Sequence, residues 1–302
     1  MPVIFSGNHP KALWPGVKAW FGATYDQWPA EYPDIFDTKT SQKNFEEDVE
    51  QSSFGLAPIK PEGTATSYDQ HQQGALKRYV HVAYSLGYIV TREELADNLY
   101  SEVSMQRAKS LAFSMTQTRE NVGANVYNRV TNASYLGADG VALGSASHPT
   151  YGALQSNLLS TAAALSEASL EDLCIQVMNA QNSRGLKISL RPQSLVVATG
   201  NAFEAERILK STLQNDTANN AVNALRSKGA VPTYSVNHYL STTANRWFLR
   251  TNAPNGMQWI DRETVNFQKD TDFDTDNAKA KAYMRFSCGW TDWRGLYASD
   301  AP

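Results

Sequence analysis

The chain has 302 residues, of which 42% are hydrophobic and 19% are charged. This composition is typical of a folded globular protein with a large core, and it excludes an intrinsically disordered chain. The 27 basic and 30 acidic residues give a net charge of −3, which excludes a strong overall electrostatic attraction to nucleic acid or to a membrane.

The first 50 residues are rich in aromatic side chains and are interrupted by prolines. Pro15, Pro29 and Pro33 prevent a long helix, and a segment without regular periodicity cannot bury its rings within itself. Residues 51–90 predict two extended stretches around a polar, Gly-rich tip, the second stretch being "KRYVHVAYSLGYIV". Since an isolated hairpin is marginally stable in water, both segments are expected to pack on another surface.

Residues 91–131 give the clearest helix signal in the chain. Thr91 and Glu94 form the pattern of a capping box, in which each side chain satisfies a free backbone N–H of the other residue. Apolar residues then recur mostly at the spacing of a helix face as far as Val130. A helix of this length would measure about 60 Å, whereas a compact globule of this size has a diameter of about 50 Å. The subunit is therefore expected to be flat or elongated.

The second half of the chain mixes helices and strands, which predicts the α+β class. A loop of small residues leads into the helix "LSEASLEDLCIQVMNAQNSRG", with Ser169 as its candidate N-cap. The strand "SLVVATG", the helix "NAFEAERILKS" and two antiparallel strands that turn at "APNG" follow. In the last strand, Ala282, Met284, Phe286 and Cys288 alternate with polar or small residues, which predicts one buried face.

No residue pattern in the sequence indicates a catalytic, metal or cofactor site. The alternating aspartates from Asp270 to Asp276 lack the Gly and Glu of an EF-hand loop, so an exposed turn is favoured over a divalent-ion site. Ser147 and His148 lie in a glycine-rich loop without a GxSxG pattern, so a nucleophilic site there is a weak alternative.

The two cysteines match no metal spacing, and the chain shows neither a signal peptide nor an apolar run of bilayer length. These features favour a reduced, cytoplasmic protein without a membrane segment.

Five segments follow one another in the second half: "HPTYGALQSNLLS", "LSEASLEDLCIQVMNAQNSRG", "PQSLVVATGNAFEAERIL", "NRWFLRTN" and "GWTDWRGLYAS". Together with the preceding arm, hairpin and long helix, they resemble the major capsid protein of tailed bacteriophages, of the type called the Mu-like major head subunit. The resemblance implies the Johnson fold that tailed-phage and herpesvirus capsids share. It implies an N-terminal arm (1–50), an extended β-hairpin loop (51–90), the spine helix and peripheral domain (91–149), an axial domain (150–239) and a return to the peripheral domain (240–302).

The resemblance further implies a structural protein without catalytic site, cofactor or metal. It would self-assemble into the pentamers and hexamers of an icosahedral head shell around double-stranded DNA, with weak and non-specific DNA contact because the net charge is −3. Since the chain passes from its first Met directly into the arm, a separate scaffolding protein is expected, with a portal and a possible decoration protein. Assembly would take place in the bacterial cytoplasm and the product would be the virion. Trp290 and Trp293 are expected to fill the core of the peripheral domain.

On this interpretation, neighbouring subunits supply the surfaces that the arm and the hairpin lack. Aromatic anchors contribute disproportionately to the free energy of an interface. Lys60 or Lys77 would be the donor if subunits were joined by an isopeptide bond, as in some capsids of this fold. Asp292 and Arg294 are candidates for a polar lock, either at the edge of the peripheral domain or across a subunit boundary. The candidate inter-subunit residues are Trp14, Trp20, Phe21, Tyr25, Trp28, Lys60, Lys77, Tyr79, Asp292 and Arg294.

Three alternatives remain open. An encapsulin-like compartment of the same fold would enclose a cargo enzyme instead of a genome. A soluble hydrolase using the Ser147 and His148 region, or a carbohydrate-binding module whose aromatic rings stack on sugars, would belong to a different class. The contents of purified particles distinguish the two kinds of shell. Loss of hydrolytic activity with assembly intact, after replacement of Ser147 and His148 by Ala, would favour the hydrolase, and a monomeric chain would favour the carbohydrate-binding module.

Overall fold

The computed structural model describes residues 21–71, 73–96, 100–214, 221–243, 245–272 and 276–300. The helices are α1 (Tyr32–Ile35), α2 (Arg92–Ala96), α3 (Tyr100–Asn128), α4 (Glu167–Met178), α5 (Ala202–Lys210) and α6 (Ala224–Lys228). The strands are β1 (Asp37–Thr40), β2 (Phe45–Gln51), β3 (Gln73–Val80), β4 (Val82–Val90), β5 (Pro192–Ala198), β6 (Thr233–Asn237), β7 (Trp247–Thr251), β8 (Met257–Thr271), β9 (Ala278–Trp290) and β10 (Leu296–Ser299).

The strands of the described residues form three sheets. The first sheet has the order β1-β8-β9-β4 and the second has the order β10-β7-β5-β6. β1 lies parallel to β8 and β6 lies parallel to β5, whereas the other neighbours in these two sheets are antiparallel. β2 and β3 form a separate antiparallel pair. This combination of helices with largely antiparallel sheets confirms the predicted α+β class.

The long helix is preceded by a short one. α2 ends at Ala96, residues 97–99 lie outside the described part of the chain, and α3 runs to Asn128. The Glu94 backbone N–H donates to Thr91 Oγ1 at 3.4 Å, which is one half of the predicted capping box. The Glu94 carboxylate lies 2.9 Å from the Arg107 guanidinium, so the side chain ties α2 to α3. α3 alone is about 43 Å long.

The predicted hairpin differs from the observed one in both strands. Its first strand is β2, which ends at Gln51 and so lies almost wholly before residues 51–90, and the stretch predicted as the second strand is divided at His81. β3 pairs with β2, whereas β4 pairs with β9, beginning with Val82 opposite Phe286. The buried His81 ring is held by Ser287 on β9, whose hydroxyl lies 3.0 Å from Nδ1. Strand propensity is continuous across this point, so the sequence does not show that the chain changes sheets there.

The second sheet separates two hydrophobic cores. Along β5, Val196 and Ala198 join the core that contains α3 and the first sheet, called the first core below. Leu195 and Val197 join the second core, which contains residues of α4, α5 and α6. β7 and β10 follow the same alternation, because successive side chains of a strand point to opposite faces. Both faces of this sheet are therefore covered.

Residues 31–40, called the bridging segment below, connect α3 to both large sheets. The Glu31 backbone N–H donates to the Glu120 carboxylate on α3 at 3.1 Å. The Arg250 guanidinium on β7 lies 2.9 Å from the Asp37 carboxylate. β1 begins at Asp37 and pairs in parallel with β8. The bridging segment therefore holds the long helix, the first sheet and the second sheet at one junction.

Candidate inter-subunit surfaces

The hairpin of β2 and β3 is fixed to the first sheet at its root. Glu47 faces Arg78 across the two strands and forms an ion pair with it at 2.7 Å. Opposite charges in this position stabilise an antiparallel pair. The Asp48 carboxylate accepts hydrogen bonds from Gln258 Nε2 and Thr291 Oγ1, both at 3.0 Å. The root of the hairpin is therefore anchored to the strands of the subunit body.

Residues 53–71, called the hairpin tip below, extend from this root as exposed chain without a helix or strand. Phe54, Leu56, Ile59 and Tyr68 in the tip are 58%, 81%, 94% and 92% exposed. Clustered exposed apolar side chains mark interaction sites in soluble proteins. Long loops without secondary structure inside a folded protein are usually functional or linkers. The tip is therefore the strongest candidate for a contact with another chain.

Asp69 and Arg184 connect the hairpin tip to the rest of the subunit. The Asp69 carboxylate accepts the backbone N–H groups of Gly55 and Gln70, both at 2.7 Å, and lies 2.6 Å from the Arg184 guanidinium. The two backbone donors, and after them Arg184, lower the pKa of the Asp69 carboxyl below its ordinary value. The sequence does not reveal this pair, since its members are 115 residues apart and neither lies in a recognisable motif.

The candidates Lys77 and Tyr79 on β3 make contacts within their own subunit. Lys77 Nζ lies 5.0 Å from the centroid of the Trp290 ring, and burial lowers the pKa of its ammonium group. The Tyr79 hydroxyl lies 2.7 Å from Thr291 Oγ1, and burial raises the pKa of the phenol. Lys60, in contrast, lies in the exposed hairpin tip. Of these three candidates, Lys60 is exposed, Lys77 is half-buried and Tyr79 is buried.

The arm candidates within the described residues fall into two groups. Phe21 is buried, and its ring centroid lies 4.9 Å from that of Phe267 on β8. The Tyr25 hydroxyl accepts a hydrogen bond from Arg119 at 3.1 Å. These two rings pack on their own subunit, whereas Trp28 is 56% exposed and is accessible to another chain. The candidates outside the described residues are Trp14 and Trp20.

Asp292 and Arg294 form a polar lock inside the subunit. Asp292 Oδ1 accepts the Arg294 backbone N–H at 2.9 Å and lies 3.2 Å from the Arg294 guanidinium. The guanidinium also donates to the Gln181 carbonyl at 2.8 Å and lies 4.4 Å from the centroid of the Trp293 ring. Trp290 and Trp293 are both buried in the first core. The aromatic carboxyl terminus therefore closes the subunit itself.

The loop that contains Ser147 and His148 has no hydrolase geometry. His148 is fully buried, with Nδ1 2.6 Å from Asp139 Oδ2 and Nε2 3.1 Å from Asn157 Oδ1. The Asn157 amide is oriented by its Nδ2, which donates to two backbone carbonyls at 2.7 and 2.9 Å. The Ser147 hydroxyl lies 3.4 Å from Ser145 Oγ. Both imidazole nitrogens are thus engaged elsewhere, and the hydrogen-bonded Ser–His pair of a nucleophilic site is not formed. His148 instead stabilises the loop through its contacts with Asp139 and Asn157.

Of the aspartate run, Asp270 lies near the end of β8, and Asp272 and Asp276 follow between β8 and β9. Asp272 pairs with Lys279 and Asp276 pairs with Arg92, each at 2.6 Å, while Asp274 lies outside the described residues. Across the described part of the chain, no three His, Cys, Asp or Glu side chains are grouped so as to hold a metal ion. Among the helices that the structure describes, none combines the length and apolar character needed to cross a membrane.

Comparison with protein families places most of the chain in one of them. A family model described as phage capsid protein matches residues 77–299, from β3 to the end of β10. Among curated proteins, none matches this sequence.

Solved structures of other proteins share the fold along nearly the whole chain. A chain of Microbacterium phage Oxtober96 has a TM-score of 0.55 at 10% identity and covers 90% of this chain and 91% of its own. A chain of the capsid of Myoviridae phage XM1 has a TM-score of 0.52 at 9% identity, with 92% and 94% covered. A virus-like particle from Pyrococcus furiosus has a TM-score of 0.51 at 8% identity, with 95% and 98% covered. At such low identity these similarities establish the fold.

Proposed function

Since this chain belongs to the family of phage capsid proteins and forms the shell of a phage head, we propose that it assembles as pentamers and hexamers around double-stranded DNA. The observation that carries the proposal is the apolar hairpin tip. Ile59 and Tyr68 are almost fully exposed, and burying one large apolar side chain contributes about 1.5–3 kcal/mol. A tip that docks on a different patch of the next copy makes a heterologous contact, and such contacts form closed rings when the rotation between copies allows it.

The division into domains follows from the same proposal. We assign residues 1–50 to the N-terminal arm, 51–90 to the extended loop, 91–149 and 240–302 to the peripheral domain, and 150–239 to the axial domain. In support, α3 and the first sheet share the first core, and α4, α5 and α6 share the second. β7 and β10, which belong to residues 240–302, lie in the same sheet as β5, which belongs to residues 150–239. The proposed peripheral and axial domains therefore share this sheet.

The remaining partners are proposed from the resemblance to Mu-like head subunits. Trp28 and Lys60 are exposed and are proposed to contact neighbouring subunits, and Trp14 and Trp20 remain candidates. We propose a separate scaffolding protein, a portal, a possible decoration protein and assembly in the host cytoplasm. Contact with packaged DNA would be weak, because the net charge of −3 supplies little counterion release.

The alternatives receive less support. An encapsulin-like compartment shares the fold, but the matching family model is one of phage capsid proteins. A hydrolase at Ser147 and His148 lacks its hydrogen-bonded pair.

Electron microscopy of the purified protein tests the proposed function directly. We expect shells for the wild type, and nuclease-protected DNA in particles made during infection. In the double variant Leu56→Asp and Ile59→Asp, subunits should remain folded by circular dichroism but should not complete shells. The control Ser53→Asp with Thr66→Asp places the same charge in the same tip and keeps its apolar surface. Normal particles from the first variant would refute the role of the tip, and a packaged protein in place of DNA would favour the compartment.

A further inference from the structure

The Asp69 carboxylate joins the two ends of the hairpin tip. Asp69 on the returning chain accepts the N–H of Gly55 on the outgoing chain, which links the two ends of the loop, and it also accepts the N–H of its neighbour Gln70. The rings of Phe54 and His71, just outside these positions, lie 5.9 Å apart. The apolar residues between them are therefore confined to a closed loop.

Arg184 then fixes this closed loop to the body of the subunit. One guanidinium nitrogen donates to the Asp69 carboxylate at 2.6 Å, and the other donates to the Gln70 carbonyl. A planar guanidinium that holds two acceptors defines direction as well as distance.

The loop that carries Arg184 is itself well defined. The Arg184 backbone N–H donates to Asn182 Oδ1 at 3.0 Å, and the neighbouring Ser183 carbonyl accepts the Gly152 N–H at 3.0 Å. Gly185 adopts a φ of 82°, a left-handed conformation that glycine accepts without strain. The guanidinium is therefore presented from a rigid turn.

We propose that Arg184 is a positioning residue that preorganises the hairpin tip for docking on a second copy of this chain. This inference rests on the proposed function, because the second copy is what covers the tip in a shell. In the tethered position Ile59 and Tyr68 stay 94% and 92% exposed, so the tether does not hide the docking surface. It restricts the directions in which the tip can point, and the ordering entropy of docking is reduced before the neighbour arrives.

Three substitutions test the effect on assembly. Arg184→Ala removes the side-chain hydrogen bonds to Asp69 and to the Gln70 carbonyl. Arg184→Lys keeps the positive charge but loses the planar guanidinium that donates to both acceptors. Arg207→Ala is the matched control, because Arg207 is an exposed arginine in a 3.2 Å ion pair on α5. We expect Arg184→Ala to raise the subunit concentration at half-assembly by about twofold to fivefold. Arg184→Lys should show a smaller rise and Arg207→Ala none.

A distance measurement on unassembled subunits reports the tether itself. Spin labels are attached at Glu62→Cys in the tip and Lys210→Cys on α5, both exposed positions. Burial raises the pKa of the native Cys174 and Cys288 thiols to about 12, which disfavours the thiolate form that reacts with the label near neutral pH. We expect a narrow distance distribution that broadens in Arg184→Ala and is unchanged in Arg207→Ala.

The outcomes separate this inference from the proposed function. An Arg184→Ala protein that assembles at the wild-type concentration, or at a lower one, would overturn preorganisation while leaving the shell intact. A distance distribution that is already broad in the wild type would overturn the tether. A wild-type protein that forms no particles would instead refute the proposed function, whatever the distances show.

Discussion

Replacing Glu120 by glutamine tests how the bridging segment is held on α3. Glu120 is 2% exposed; its Oε1 accepts the Glu31 N–H, and its Oε2 has no hydrogen-bond partner among the described residues. Burial is the main cause that raises the pKa of this carboxyl from 4.5 to about 7. The Glu31 N–H works against the increase, and the nearby Glu31 carboxylate adds to it.

The raised pKa sets the sign and size of the effect. The folded protein binds the Glu120 proton more tightly than the unfolded chain does. Its contribution to stability is therefore fully present below about pH 4.5 and is lost as the pH rises through about 7. The difference between the two pKa values corresponds to about 3 kcal/mol in the free energy of unfolding. Glutamine does not titrate, so Glu120→Gln removes this dependence.

Urea unfolding of unassembled subunits at about pH 5 and about pH 8 measures the effect. Between these conditions, the wild type should lose about 2–3 kcal/mol more unfolding free energy than Glu120→Gln. Glu93→Gln, at an exposed position on α2, serves as the control and should behave like the wild type. A wild-type pH dependence in Glu120→Gln, or an equal change in Glu93→Gln, would refute the assignment of this dependence to Glu120.

Two further substitutions test packing. Asn157→Ala leaves two buried backbone carbonyls without a donor and should lower the free energy of unfolding by about 3–5 kcal/mol in urea; a loss no larger than that of the exposed Asn121→Ala would contradict this role of Asn157. Gly87→Ala places a Cβ 2.7 Å from the Ala280 carbonyl oxygen on β9, so β4 must shift, at about 1–3 kcal/mol. Amide exchange in β4 should rise for Gly87→Ala but not for Ser85→Ala on the same strand, and equal exchange would argue against the close approach.

Elements with a strong local pattern were predictable from the sequence. Ala282, Met284 and Phe286 on β9 are buried as their alternation predicts, because a strand in a sheet with one covered face repeats every two residues. Thr91 accepts the N–H of Glu94 at the start of α2, as the capping pattern predicts. In each case the signal and its structural cause lie within a few residues of one another.

The interactions that define the candidate surface were not predictable in this way. Asp69 and Arg184 meet across 115 residues, and no periodicity links them. His148 is a second example. Its residue type and its neighbour Ser147 suggested a weak hydrolase alternative, but in the structure both ring nitrogens contact Asp139 and Asn157. The sequence shows which hydrogen-bonding groups are present, but the tertiary fold determines which partner each of these groups has.

The bridging segment also sets an order of events in the folding of a newly synthesised chain. Asp37 and its partner Arg250 are 213 residues apart, and ribosomes add about 5–20 residues per second, so about 10–40 s separate the emergence of the two. Contacts this distant along the chain form late. Until β7 and β8 have been made, Asp37 lacks its ion-pair partner and β1 lacks the strand with which it pairs. A chain that ends before β7 and β8 therefore cannot complete the junction of the long helix with the two large sheets.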